Sequence, residues 1–150
     1  MRDGLGDDPA FWCFTPRQEG LEYNLESALI ADEPVLFVHH NLTGPNFALS
    51  RAPMTPTAPD AWQEVLPHDD EVRLEGIDAF AEHVVVSRRS GGLTEILLGD
   101  LADPAAASAV EFPHPLCTVG LGSNPEPSQP VLRVGYTSLA VPSSVYSLDL

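Results

Sequence analysis

The chain has 150 residues, with 22 Asp or Glu against 7 basic residues, all of them Arg, and a net charge of −15. A surface this acidic repels phosphate groups, which argues against nucleic-acid binding and against an anionic membrane surface. With 43% hydrophobic residues the chain is too apolar to be disordered, and it has no apolar run of the ~20 residues that a membrane helix needs.

The first 19 residues are predicted to form the edge of a preceding structural unit or a disordered start. Their one strand-like run is Phe11–Phe14. The Asp- and Gly-rich beginning carries no secretory signal, so we expect a cytoplasmic protein. Cys13 and Cys117 cannot form a disulfide framework and are expected to be two buried free thiols.

Three predicted hairpins follow along the chain, each with an apolar strand, a turn and an apolar return strand. They are Val35–His40 with Phe47–Arg51, Val84–Arg88 with Leu93–Leu98, and Val131–Tyr136 with Val145–Leu148. Helical periodicity is nearly absent, and the best helical stretch, Leu21–Ile30, alternates equally well as a strand. The sequence therefore predicts an all-β protein.

The hairpins recur at a constant step of 48 residues. Val38, Val86 and Val134 show this step, and Leu49, Leu97 and Val145 repeat it. A period of about 40–50 residues with several strands per unit is typical of a β-propeller, whose four-stranded blades bury their faces against neighbouring blades. We therefore expect a partial β-propeller of about three antiparallel blades.

The remaining strands of each unit are predicted around the hairpins. Inner strands are expected at Glu22–Glu26, Leu74–Phe80 and Cys117–Leu121, and outer strands at Trp62–Leu66 and Ala109–Phe112. The predicted blades cover residues 20–68, 69–113 and 114–150, and the last one lacks its outer strand. Because so few blades cannot close a ring, we expect the chain to be part of a larger protein, with open edges that would allow pairing into a homo-oligomer.

Residues that could carry chemistry are few. Gly120–Asn124 approaches the Gly-x-Ser-x-Gly turn of serine hydrolases, but Ser123 is misplaced and a Pro-rich turn follows it instead of a helix. No zinc-binding spacing and no phosphate-binding loop occurs. We therefore expect no catalytic residue, no metal and no cofactor in the chain, and the residues that bind substrate stay unassigned.

The other polar and aromatic candidates are given structural interpretations. Adjacent His39 and His40 point to opposite sides of a strand, and His68 and His83 are interpreted as exposed loop residues. The pair Arg88–Arg89 is predicted to balance local carboxylates, with contact to another domain as the alternative. Trp62 is predicted to pack between blades.

Several segments together resemble the prolyl oligopeptidase family of serine peptidases, most closely its oligopeptidase B (protease II) branch. They are Gly20–Tyr23, Gly44–Leu49, Trp62–Pro67, Leu74–Gly76, Val84–Thr94, Asn124–Pro127, Gly135–Leu139 and Pro142–Asp149. The resemblance implies a seven-bladed propeller that covers an α/β-hydrolase domain with a Ser-Asp-His triad. In that family the present chain would be the C-terminal part of the N-terminal propeller, and no triad residue maps onto it.

The resemblance also implies a function. The chain would filter short peptides by size and gate their access to the hydrolase domain of the same protein, which in the oligopeptidase B branch cleaves after Arg or Lys. The acidic surface would attract basic peptides. Two alternatives stay open: a non-enzymatic propeller scaffold that binds other proteins, and a small independent β-domain.

Overall fold

The computed structural model describes residues 12–150, and its regular structure is almost entirely strand. The strands are β1 (Tyr23–Ile30), β2 (Glu33–His40), β3 (Ala48–Pro53), β4 (Gln63–Leu66), β5 (Val72–Ala79), β6 (His83–Ser90), β7 (Leu93–Asp100), β8 (Ser108–Ala109), β9 (Cys117–Leu121), β10 (Val131–Ser138) and β11 (Ser144–Asp149). Two short 3-10 helices, Pro59–Ala61 and Pro104–Ala106, lie between them. No helix in this part of the chain is long and apolar enough to span a membrane.

The strands form three antiparallel sheets, and within each sheet neighbouring strands are consecutive in the chain. The first sheet has the order β1-β2-β3-β4, the second β5-β6-β7-β8, and the third β9-β10-β11. Sheets of this size in series are the blades of a propeller. The predicted all-β fold and partial propeller are therefore confirmed.

The central hairpin shows why these residues form strands and turns. Strand β6 contains Val84, Val85 and Val86, whose branched side chains suit the pleated backbone of a sheet. The turn to β7 consists of Gly91 and Gly92, which have φ angles of 55° and 83°. Glycine adopts these angles without steric cost, so the sequence favours the turn at this position.

Two apolar layers hold the three sheets together, and we call them the first and second seams. The first seam, between the first two sheets, contains Ala28, Phe37, Phe47, Leu49, Leu74, Val84, Val86, Leu97 and Leu101. The second seam, between the last two sheets, contains Phe80, Val85, Ile96, Val119, Leu132, Val134 and Tyr136. The core therefore lies between the sheets.

Polar groups also connect the sheets across the first seam. The Nε2–H of His39 donates to the carbonyl of Leu74 at 3.0 Å. A guanidinium N–H of Arg51 donates to the carbonyl of Ala102, also at 3.0 Å. Each bond reaches from the first sheet to the second. Because hydrogen bonds are directional and apolar contacts are not, these two bonds fix the relative position of the sheets.

A third apolar cluster covers the other side of the first sheet. Phe14 packs there with Leu36, Val38 and Ala52, and Trp62 stacks on the Phe14 ring at 6.0 Å between centroids. This confirms Trp62 as a packing residue. Trp12–Phe14 form no regular strand within this chain, and Phe14 packs on the first sheet, whereas Phe11 lies outside the described residues; the assignment of residues 1–19 to the edge of a preceding blade stays a prediction.

The repeat of 48 residues is confirmed for one series and shifted for the other. Val38 lies in the Phe14 cluster, Val86 in the first seam and Val134 in the second seam. Each valine therefore faces the part of the structure that precedes its own sheet in the chain. Val38 pairs with Ser50, however, whereas Val86 pairs with Leu97, so Leu49 and Leu97 face opposite sides of their sheets. The connection after β2 is longer than Gly91–Gly92, and the strands absorb the difference as a one-residue shift in register.

The outer strand of the second sheet is shorter than predicted. Strand β8 contains only Ser108 and Ala109, although the prediction extended to Phe112. The chain leaves the sheet after Val110, whose N–H still donates to the carbonyl of Ile96 at 2.9 Å. Phe112 turns into the second seam and stacks on Tyr136 at 5.5 Å, where burial of the ring outweighs continued pairing.

We expect the seams to dominate stability. Val84→Ala removes two methyl groups from a fully buried position and should lower the free energy of unfolding by about 2 kcal/mol. Val145→Ala is the matched control because Val145 is 71% exposed. Urea unfolding of both variants measures the difference, and equal losses would contradict the assignment of the core.

A second prediction concerns the first hairpin connection, where the ring of His68 lies directly on Gly44. A Cβ at Gly44 would overlap that ring, whereas a Cβ at Gly120 meets nothing. Gly44→Ala should therefore cost about 1–3 kcal/mol of unfolding free energy, and Gly120→Ala much less. Thermal or urea denaturation checks this, and the double variant Gly44→Ala/His68→Ala should recover most of the loss if the ring is the cause.

Candidate functional site

The structure contains a buried serine–histidine pair that resembles a nucleophile and its base. Ser50 Oγ and His40 Nε2 are 2.8 Å apart, and both residues are nearly inaccessible. The backbone N–H of Leu42 donates to His40 Nδ1 at 3.2 Å, which leaves the ring proton on Nε2. His40 therefore donates to Ser50 and cannot remove its proton, so the pair is structural.

The two adjacent histidines are held in the neutral form. Burial lowers the pKa of both histidines. The pKa of His40 is lowered further by the charge that His39 would carry beside it. They point to opposite sides of β2 as predicted, His39 into the first seam against Phe47 and His40 against Trp62. His39 Nε2 and both ring nitrogens of His40 are hydrogen-bonded within the protein, so these atoms are not free to act on a substrate.

A cleft of about 270 Å³ lies between the first strands of the first two sheets. Strand β1 contributes Asn24, Leu25 and Glu26, strand β5 contributes Glu75, Gly76, Ile77 and Asp78, and His39 of β2 also lines the cleft. Both strands are the terminal strands of their sheets. In a propeller the sheets surround a central channel, so a cleft between first strands lies on the channel wall.

Two carboxyl groups, those of Glu26 and Asp78, make this cleft acidic. Glu26 Oε1 accepts from the backbone N–H of Ala79 at 3.3 Å, a donor on the unpaired edge of β5. Burial raises the pKa of Glu26, partly offset by that hydrogen bond, and the charge of Asp78 raises it further. Burial likewise raises the pKa of Asp78. A cation in the cleft would therefore be stabilised, because it would relieve the desolvation and repulsion of both carboxylates.

Sequence reasoning left these carboxylates unassigned. The one feature of the sequence that could have indicated the cleft is that Glu26 and Asp78 both fall inside predicted inner strands. Alternation along a strand does not reveal that the two strands come together from different sheets. Among the described residues, no group of three or more His, Cys, Asp or Glu side chains converges as a metal site.

The arginine pair is placed as predicted. Arg88 Nε donates to Glu95 at 2.7 Å, and Arg89 Nε donates to Glu75 at 2.8 Å. Both side chains are thus committed to carboxylates of their own sheet. Through Glu75, Arg89 also supplies a positive charge beside the cleft.

Several other sequence-based interpretations need correction. His68 is not a solvated loop residue, because its side chain is only 15% exposed and covers Gly44; His83 is half-buried at the start of β6. Cys13 and Cys117 are free, but Cys13 is exposed, since it lies in the irregular segment before β1, and Cys117 is half-buried at the start of an edge strand. Ser123 is exposed in the connection after β9, away from any histidine partner in the described hydrogen bonds.

The buried histidines predict a pH dependence of stability. A histidine whose folded pKa is lowered contributes stability that is present above its unfolded pKa of 6.5 and is lost as the pH falls below that value. His39→Gln removes the titration while keeping an N–H donor for Leu74. The unfolding free energy of the unchanged protein should therefore fall more steeply than that of His39→Gln as the pH decreases through 6.5. Glu26 and Asp78 act in the opposite direction at more acidic pH, but they do so in both proteins; parallel curves would contradict the prediction.

Comparison with known proteins places the chain in a family. The family model of the prolyl oligopeptidase N-terminal β-propeller domain matches residues 6–150. Dipeptidyl aminopeptidase BI of Pseudoxanthomonas mexicana is 27% identical over 93% of this chain. An uncharacterized peptidase of Sinorhizobium fredii is 38% identical over 55% of it. The chain spans only 18% and 12% of these two relatives, respectively.

Solved structures agree with the fold. Oligopeptidase B from Trypanosoma brucei, in a closed form with covalently bound antipain, superposes with a TM-score of 0.83 at 24% identity and covers 95% of this chain and 21% of its own. Oligopeptidase B from Leishmania major gives a TM-score of 0.74 at 27% identity, with 89% and 19% covered. Three stacked meander sheets and a family match over nearly the whole length lead to one conclusion: the chain belongs to the N-terminal β-propeller domains of the prolyl oligopeptidase family.

Proposed function

We propose that the chain is the non-catalytic propeller segment of a cytoplasmic serine oligopeptidase, where it filters substrates by size and gates their access to a Ser-Asp-His hydrolase domain of the same protein. The family match over residues 6–150 carries this proposal. The neutral, donating His40 supports it, because the buried His40–Ser50 pair cannot act as base and nucleophile.

The sheet packing supports the filtering role. Both seams are filled with apolar side chains, and backbone or side-chain hydrogen bonds cross each of them, such as the bond from the N–H of Val119 to Thr94 Oγ1 at 2.8 Å. Blades fixed in this way make a rigid channel wall. A rigid wall admits extended peptides and excludes folded proteins, and it keeps bulk water from the reaction.

Charge supports a preference for basic peptides. The chain carries −15 overall, and the channel-side cleft holds Glu26 and Asp78 with no cation between them in the hydrogen bonds that the structure describes. Such a surface raises the rate at which cationic substrates arrive. This attraction affects the rate of arrival, whereas cleavage after Arg or Lys, the chemistry of the oligopeptidase B branch, would be set largely by carboxylates of the hydrolase domain.

A second substrate class has one specific observation in its favour. The relative that aligns with 93% of the chain is a dipeptidyl aminopeptidase, an enzyme named for removing dipeptides from a free N-terminus. A full-length protein that cleaves an N-terminally blocked peptide after Arg would be an endopeptidase. One that cleaves only the unblocked peptide would be an aminopeptidase, and one that cleaves neither would be left with the scaffold role.

The charge of the cleft can be tested in the full-length protein with isosteric changes. Glu26→Gln with Asp78→Asn should lower kcat/KM for a basic peptide about 3- to 10-fold at low salt, and less at high salt, because it weakens electrostatic attraction. The matched control, Asp103→Asn with Glu126→Gln, removes the same charge from exposed connections elsewhere. Equal effects of the two double variants, or none, would contradict a role for the cleft.

A further inference from the structure

A second cleft of about 270 Å³ opens between the first two sheets, next to the segment that joins them, and we call it the seam cleft. One side is formed by Phe47 and residues 66–69, and the other by residues of β5, β6 and β7 with the segment 104–107. It shares no lining residue with the acidic cleft between β1 and β5. Because protein interiors contain few voids larger than a water molecule, a space of this size between packed sheets is suited to a ligand.

Most of the wall of the seam cleft is apolar. The large apolar side chains that line it are those of Phe47, Leu66, Val72, Leu74, Val86 and Leu97. A ligand that covers these side chains removes apolar surface from water, which favours binding. The volume lies just below the range of ~300–1,000 Å³ that is usual for pockets of drug-sized ligands, so the seam cleft suits a smaller molecule.

One guanidinium group gives the seam cleft a positive charge. Arg88 lies on β6 opposite Leu74 of β5, and it lines the cleft with a half-buried side chain. Its Nε donates to Glu95 at 2.7 Å, a bond that engages one of its three nitrogens. Among the hydrogen bonds that the structure describes, the two Nη groups of Arg88 make none. Two Nη groups form a planar fork that matches the two oxygens of a carboxylate, so this end of Arg88 is suited to an organic anion.

The other charged groups beside the seam cleft are compatible with an anion. Asp69 is the one carboxylate among the lining residues. Its Oδ1 accepts from the backbone N–H groups of residues 71 and 72, at 2.7 and 3.1 Å, and these donors offset its charge. The guanidinium carbon of Arg73 lies 4.9 Å from the centroid of the Phe47 ring, so a second positive charge stands next to the apolar wall.

We propose that the seam cleft binds a small organic acid, whose apolar body lies between the first two sheets and whose carboxylate pairs with the Nη groups of Arg88. The inference goes beyond the proposed function and does not depend on a hydrolase domain. A purely apolar ligand would shield the guanidinium from water without pairing it, and an inorganic anion would leave the apolar wall in water. A molecule with both parts satisfies both walls of the cleft.

The test measures the affinity of the full-length protein for two probes that share one apolar body, 3-phenylpropanoate and its uncharged amide, 3-phenylpropanamide. Isothermal titration calorimetry at low salt gives both dissociation constants. The acid should bind at least about tenfold more tightly than the amide, because its hydrogen bonds to Arg88 are charge-assisted. The tripeptide Ala-Ala-Phe ends in a similar phenylalkyl carboxylate and should bind at least about tenfold more weakly than the free acid, since a cleft of this size has no space for two further residues.

Three variants show where the acid binds. Arg88→Gln should weaken its binding at least about tenfold. Arg89→Gln is the matched control and should change it less than about twofold, because Arg89 is bonded to Glu75 and does not line the cleft. Ala105→Phe fills the cleft from an exposed lining position and leaves every charge in place, so it should also weaken binding about tenfold. It serves as the second test if Arg88→Gln does not fold.

Several results would overturn the proposal. They are no measurable binding of the acid, equal affinity for the acid and the amide, equal losses in Arg88→Gln and Arg89→Gln, or undiminished binding in Ala105→Phe. Binding of Ala-Ala-Phe as tight as that of the free acid would also overturn it, because the site would then accept the end of a peptide. Peptidase activity is not a readout in any of these measurements, so their failure leaves the proposed function unaffected.

Discussion

Three consecutive valines in the middle of the chain carry the constraint on which the rest of the structure depends. Val84 and Val86 face the first seam and Val85 faces the second, and all three are almost completely buried. A sheet that is apolar on both faces is stable only between two others, because one face would otherwise remain in water. The second sheet therefore determines how the first and third sheets are placed, and packing against it stabilises both of them.

The candidate site is a consequence of this stacking. When the first two sheets share a seam, the edges of β1 and β5 come together, and Glu26 reaches the unpaired N–H of Ala79. The same arrangement buries Glu26 and Asp78 enough to raise their pKa values. Stacking also aligns the connections between the second and third strands of all three sheets at one end. Fold and cleft thus share one physical cause.

Most of the fold could be predicted from the sequence, because strands and turns depend on residues that are close together in the chain. The hairpins, Trp62 as a packing residue and the pairing of Arg88 and Arg89 with local carboxylates follow from alternation, glycine turns and nearby charges. What could not be predicted depends on contacts between sheets: the brevity of β8, where Phe112 leaves to fill the second seam, and the coverage of Gly44 by His68. The carboxylate cleft belongs to this second group, since its two strands meet only through stacking.

The central claim is that the sheets are stable through their shared seams and not singly. Native-state hydrogen exchange in increasing denaturant tests this most directly, because it assigns an unfolding free energy to each strand. The account predicts that buried amides of β2, β6 and β10 reach the same unfolding free energy and exchange in one cooperative step. Three separate values, with one sheet opening while the others stay protected at full strength, would contradict it.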